Sequence, residues 1–126
     1  MIGRLRSIVL DTRDPRRLAE FYVGLVGGAV TAEEHDWYVV TDPTGLRIAC
    51  QLSPGHEPPR FPDPAGSQQV HLDLVVDDPD EAERRVLAIG AERVTEPHPE
   101  SDFRVYLDPA GHPFCLIARA AITAAE

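Results

Sequence analysis

Ser7-Ile-Val-Leu-Asp-Thr-Arg-Asp14-Pro15 and His71-Leu-Asp-Leu-Val-Val-Asp-Asp78-Pro79 lie over one another residue for residue. Each stretch carries apolar residues at alternate positions and closes on Asp-Pro. Alternation at a period of two marks a strand with one buried face. The closing pair reads as a helix start. Asp supplies the capping oxygen, and Pro takes the first helical position, where its missing N–H costs nothing. A strand running into a helix is therefore expected twice in the chain, the mark of an internal duplication.

Working outward, Leu18, Phe21, Tyr22 and Leu25 recur at helical spacing and stop at Gly27-Gly28. Ala82, Val86 and Ile89 do the same and stop at Gly90. Glycine just past the last apolar residue is a common helix terminator. Trp37 to Gly45 then lies over Phe103 to Gly111. Each reads as a short strand, an Asp-Pro-x-Gly turn and a further strand, near 46–52 in the first copy and 113–117 in the second. Strands near 29–33 and 91–95 complete β-α-β-β-β twice. The expected fold is α+β, one domain over 1–126, with module one at about 4–53 and module two at about 67–119. The connector at 54–66 is too rich in proline for a central strand or a helix, and the tail after Arg119 is expected to fray.

Composition narrows the function classes. The net charge of −9 opposes a phosphate backbone, so no nucleic-acid partner is expected. The arginines at 4, 6, 13, 16 and 17 read as a solvated face. No apolar run approaches a membrane span or the core of a signal peptide, so the expected location is cytoplasmic, away from membranes. Two cysteines far apart suit neither a disulfide framework nor a structural zinc knuckle.

The duplicated Asp-Pro motifs, Phe21-Tyr22, His71-Leu-Asp-Leu, Gly90-Ala91 and Asp108-Pro-Ala-Gly-His-Pro-Phe-Cys115 together resemble the vicinal oxygen chelate superfamily. That superfamily takes in glyoxalase, bleomycin-resistance proteins and extradiol dioxygenases. The resemblance runs from Arg4 to Arg119. It implies a glyoxalase-like domain in which paired modules form a cupped mixed sheet with the helices outside. It further implies a small-molecule ligand within the cup, often a divalent metal, and a homodimer.

Strand parity assigns side chains to the two faces. With Leu72, Leu74 and Val76 against the helix, His71, Asp73 and Val75 face the cup. By the same rule Cys115 and Ile117, Ser7 and Asp11, and Arg47, Ala49 and Gln51 lie on the cup side, while Cys50 belongs to the core. Burying Val39, Val105 and Leu107 would bring Tyr38, Arg104 and Tyr106 into the cup. On that basis Gln51, His71, Arg104, Tyr106 and Cys115 are the expected ligand-binding residues, with Cys115 more reactive than Cys50.

Metal-dependent relatives place His, Glu, His and Glu at four strand positions. The resemblance carries these onto Ser7, Gln51 (or Ala49 in a shifted register), His71 and Cys115, of which His71 alone matches. One imidazole beside a neutral amide is a poor divalent site, so no metal or other cofactor is expected. His71 and Cys115 with Asp73 could begin a soft zinc site, but further good ligands are missing. His71 with Asp73 reads either as a general base and its polarising carboxylate, the catalytic candidates, or as a polar pair within the sheet. His112 reads as structural, and His35, His56 and His98 sit in polar loops. The leading expectation is a metal-independent small-molecule-binding protein. Its rivals are a lyase, isomerase or epimerase working through His71, with or without a metal, and a homodimeric scaffold with a vestigial cup.

Overall fold

The computed structural model describes residues 1–60, 70–94 and 103–122. The first copy runs β1 (Ile8–Thr12), α1 (Pro15–Val26), β2 (Ala29–Glu34), β3 (Trp37–Thr41) and β4 (Arg47–Leu52). The second runs β5 (Leu72–Val76), α2 (Pro79–Ala88), β6 (Glu92–Arg93), β7 (Phe103–Leu107) and β8 (Pro113–Ala118). Each copy makes a four-stranded mixed sheet, in the orders β1-β4-β3-β2 and β5-β8-β7-β6. The first and fourth strands of a copy run parallel, and the remaining neighbours are antiparallel. The α+β fold with tandem βαβββ modules is borne out. The compact units span 1–57 and 58–126, dividing inside the expected connector. Residues 61–66 of that connector, residue 95 of the strand expected at 91–95, and His98 lie outside the described residues.

The two helix starts form as the Asp-Pro motif requires. Asp14 Oδ1 accepts from the Arg17 amide at 3.1 Å, and Asp78 Oδ1 accepts from the amides of Asp80 and Glu81 at 3.0 and 3.2 Å. Pro15 and Pro79 are the first helical residues. The strand turns are duplicated just as closely. Asp42 Oδ1 accepts from the amides of Thr44 and Leu46, and Asp108 Oδ1 from those of Ala110 and His112. Gly45 and Gly111 follow at φ +96° and +85°, a backbone region that costs residues with a Cβ. Past β8 a 3₁₀ turn forms at Arg119–Ala121, where Arg119 Nε donates to Asp77 Oδ1 at 2.5 Å, and residues 123–126 of the tail expected to fray lie outside the described residues.

The helices are attached to their sheets by different chemistry. Leu18, Ala19, Phe21 and Tyr22 of α1 are fully buried, as are Val40, Ile48 and Cys50 on the strands of the same unit. This is ordinary apolar packing, worth about 1.5–3 kcal/mol for each large side chain. In α2 one residue, Val86, is buried. Polar contacts from Arg93, Arg104 and Tyr106 to α2 supplement it. Among the described residues no helix is long and apolar enough to cross a membrane.

Candidate functional site

Cross-strand partners share a face of a sheet, so the pairing register fixes parity independently of hydrophobicity. In the second unit Leu72 pairs with Phe114 and Phe114 with Tyr106, while Leu74 pairs with Leu116 and Leu116 with Arg104. These residues form the helix face. Asp73 pairs with Cys115 and Cys115 with Val105, which places all three on the opposite, helix-free face. His71, two residues before Asp73, shares that side. The expected parity holds for β1, β4, β5 and β8.

It fails for β7, and with it the ligand-binding assignment of Arg104 and Tyr106. The Tyr106 ring stacks on Phe114 with centroids 5.5 Å apart, and its hydroxyl donates to Glu83 Oε1 at 2.7 Å. Arg104 donates to Asp80 Oδ1 at 2.7 Å and to the Pro79 carbonyl at 3.3 Å. Both side chains therefore span the sheet–helix interface. Alternation could not reveal this, because Val105 is buried at 4% exposure on the other face and Tyr106 at 0% on this one. An amphipathic side chain can bury its body and still reach a polar partner on the helix. Tyr38 is displaced in the same way: it pairs with Cys50, on the core side, while Val39 pairs with Ala49.

The network has clear electrostatics. Burial raises the Glu83 carboxyl, but hydrogen bonds from Tyr106 and Arg93 and the charges of Arg93 and Arg104 outweigh it and hold the group below its ordinary value. Burial, followed by the bond to Glu83, pushes the Tyr106 hydroxyl up. This cluster has the character of a structural clamp.

On the helix-free face of the second sheet, ligand atoms of His71, Asp73 and Cys115 all lie within 4.8 Å of one another. His71 Nε2 is 3.3 Å from Asp73 Oδ1, and the two side chains are 37% and 53% exposed. Cys115 lies beneath them at 3% exposure. Its thiol is pushed up to about 11, by burial first, then by the charge of Asp73 and the hydrogen bond to it. One carboxylate thus serves both an imidazole and a protonated thiol. The pair sits at the start of β5, an edge strand of its own sheet.

Duplication supplies an internal comparison. Ile8 pairs with Ile48 as Leu72 pairs with Phe114, so Ser7, Val9 and Ala49 are the counterparts of His71, Asp73 and Cys115. Gln51 is then the counterpart of Ile117 and lies exposed beyond the equivalent position, with Asp11 beside it. Among the described residues, the imidazole–carboxylate–thiol set occurs in the second copy, and its counterparts in the first are Ser7, Val9 and Ala49.

The donors present in the first unit do not fit the metal that the superfamily often carries. Ala49 offers no donor atom, and Ser7 Oγ accepts from the Arg47 guanidinium at 3.2 Å. A fixed positive charge against the first ligand position opposes a divalent cation. The His71, Asp73 and Cys115 set by itself would suit a thiophilic ion such as zinc, with one of four positions left open. Arg47 is the residue that sequence reasoning passed over. Parity had placed it on the right side of β4, and the missing signal was that its contact is a hydroxyl rather than a carboxylate.

A family model described as Glyoxalase-like domain matches residues 7–117. Among solved structures, the fosfomycin resistance protein FosX from Mesorhizobium loti is 16% identical with a TM-score of 0.72, over 99% of this chain and 97% of that one. A mutant FosX from Listeria monocytogenes, complexed with Mn(II) and 1S,2S-dihydroxypropylphosphonic acid, is 19% identical with a TM-score of 0.72, over 94% of both chains. A glyoxalase-related enzyme from Fulvimarina pelagi is 19% identical with a TM-score of 0.66, over 98% of this chain and 94% of that one. At these identities the likeness is one of fold. No curated protein matches the sequence.

Proposed function

Since the chain belongs to the glyoxalase-like domain family, we propose that it binds a small molecule against the helix-free face of its second sheet, through His71 and without a metal. The observation that carries this reading is the solvent-accessible His71–Asp73 pair, 3.3 Å apart, on the face that α2 does not cover. An imidazole offers ring nitrogens suited to hydrogen bonding with a ligand, and the carboxylate beside it orients the ring. Metal independence is supported by Ala49 and by the Ser7–Arg47 contact at positions where metal-dependent relatives carry ligands. The same reading takes the protein as a cytoplasmic homodimer. Family resemblance supports the dimer, and two buried, reduced thiols are in keeping with a reducing compartment.

A second reading is favoured by one observation, the convergence of three different donor types within 4.8 Å. Under it the protein is a lyase, isomerase or epimerase that works either through His71 as a proton-transferring group oriented by Asp73, or through a zinc ion that His71, Asp73 and Cys115 would hold. Elemental analysis of the purified protein, followed by a thermal-shift screen of small carbonyl, phenolic and phosphonate compounds, separates the two. The first reading expects no stoichiometric metal and a stabilising compound whose effect disappears in His71→Ala. A compound present at a hundred times its dissociation constant should stabilise by about 2.7 kcal/mol. Near-equimolar metal that is lost in His71→Ala would replace the first reading by the second.

A further inference from the structure

Three described strand residues are arginines, and two of them are neutralised within their own unit: Arg93 by Glu83, and Arg104 by Asp80 and Glu83. Arg47 differs. Among the described residues, the one polar partner of its side chain is Ser7 Oγ, which accepts from Nε at 3.2 Å. Arg47 is half-buried at the start of β4, on the helix-free face of the first sheet. The acid on that face of β1 is Asp11, which pairs with Gln51, four residues further along β4. At strand rise that is roughly 13 Å away, too far for an ion pair.

Among the described residues Arg47 has no ion-pair partner, and a partly desolvated guanidinium left in that state is costly to keep in a fold. Here its geometry is also constrained. Ser7 engages Nε, which leaves the two terminal nitrogens as a planar pair of donors, the arrangement that grips two oxygens of one anion. The Ser7 oxygen is used as an acceptor, so its own hydrogen is free to donate to the same anion. Thr41 is the cross-strand neighbour of Arg47 on this face, and its hydroxyl is bonded to that of Thr31 at 2.7 Å. Two neighbours of Arg47 on this face are thus neutral hydroxyls, while the Asp42 carboxylate of the adjoining turn is engaged by the amides of Thr44 and Leu46.

We propose that Arg47 and Ser7 form a binding position for a small oxyanion, a carboxylate or a phosphate-type group. The counterpart of Arg47 in the second unit is Pro113, so duplication does not account for the guanidinium. The position stands on the first unit alone and does not depend on the role proposed for His71.

The test is a nuclear magnetic resonance titration of the whole protein with inorganic phosphate and, separately, with acetate, chloride being exchanged to hold ionic strength constant. Saturable shifts of the Arg47 Nε–Hε and Ser7 amide signals are expected with at least one anion, and the tighter anion names the source. Arg47→Gln should abolish saturation. Arg47→Lys keeps the charge without the fork and should weaken binding at least about tenfold. Ser7→Ala, which leaves the guanidinium in place, should weaken it as well and serves if Arg47→Gln folds poorly. Shifts that rise linearly with both anions, or an affinity unchanged in Arg47→Gln or in Ser7→Ala, would overturn the proposal.

Discussion

At Cys115, burial and the Asp73 carboxylate act in the same direction, holding the thiol protonated up to about 11 against an ordinary 9.0. The thiolate is the reactive form, so at pH 8 its population should be about a hundredfold below that of an unperturbed cysteine. Parity put Cys115 on the helix-free face, as the strand pairing also does, and its expected reactivity is relative to Cys50, which is itself fully buried. Alkylation by iodoacetamide, followed by mass spectrometry, should therefore be slow at Cys115 at pH 8. Asp73→Asn removes the charge that opposes ionisation and should accelerate it. A wild-type rate equal to that of an unhindered thiol would contradict this account. The linkage has a definite sign. Because the folded-state value is raised, the contribution of the group to stability is complete below about pH 9 and is lost as pH rises toward 11.

Among the elements, α2 is the one whose attachment depends on polar contacts. Arg104, at 19% side-chain exposure, bridges Asp80, at 82%, and Glu83, at 13%. The exposed half of this bridge contributes little, and the sheltered half more. Arg104→Ala should cost roughly 1–2 kcal/mol, since it leaves Glu83 with one guanidinium instead of two. That corresponds to a melting temperature lower by about 4–8 °C. The response to a compound bound through His71 should persist in this variant. A variant that melts like wild type, or one that no longer responds to the compound, would return Arg104 to the binding face. This element also shows why alternation misleads. Val105 and Tyr106 are both buried, so apolar character does not identify which of them meets the helix, whereas the pairing of Tyr106 with Phe114 does.

For the whole molecule, the fold was legible because duplication repeats short-range chemistry: the Asp-Pro helix starts, the Asp-Pro-x-Gly turns and the glycine stops each occur twice. Such signals act within a few residues and survive without tertiary context. The convergence of His71 with Asp73 was legible for the same reason, being two apart on one strand. Three features set by pairing across strands were not legible: the reversal of β7, the displacement of Tyr38, and the contact of Arg47 with Ser7, forty positions apart. The carboxylates that occupy Arg104 lie on a helix 24 residues or fewer away in sequence, yet no local pattern joins them to it. The account as a whole rests on a metal-independent site at His71. Its direct test is to titrate chelator-treated protein with a stabilising compound while following the His71 ring and the amides of Asp73 and Cys115 by nuclear magnetic resonance. The account predicts saturable shifts at these three residues, unchanged when zinc or manganese is restored. Shifts confined to Asp80, Glu83 and Arg104, or binding that appears only after metal is added, would contradict it.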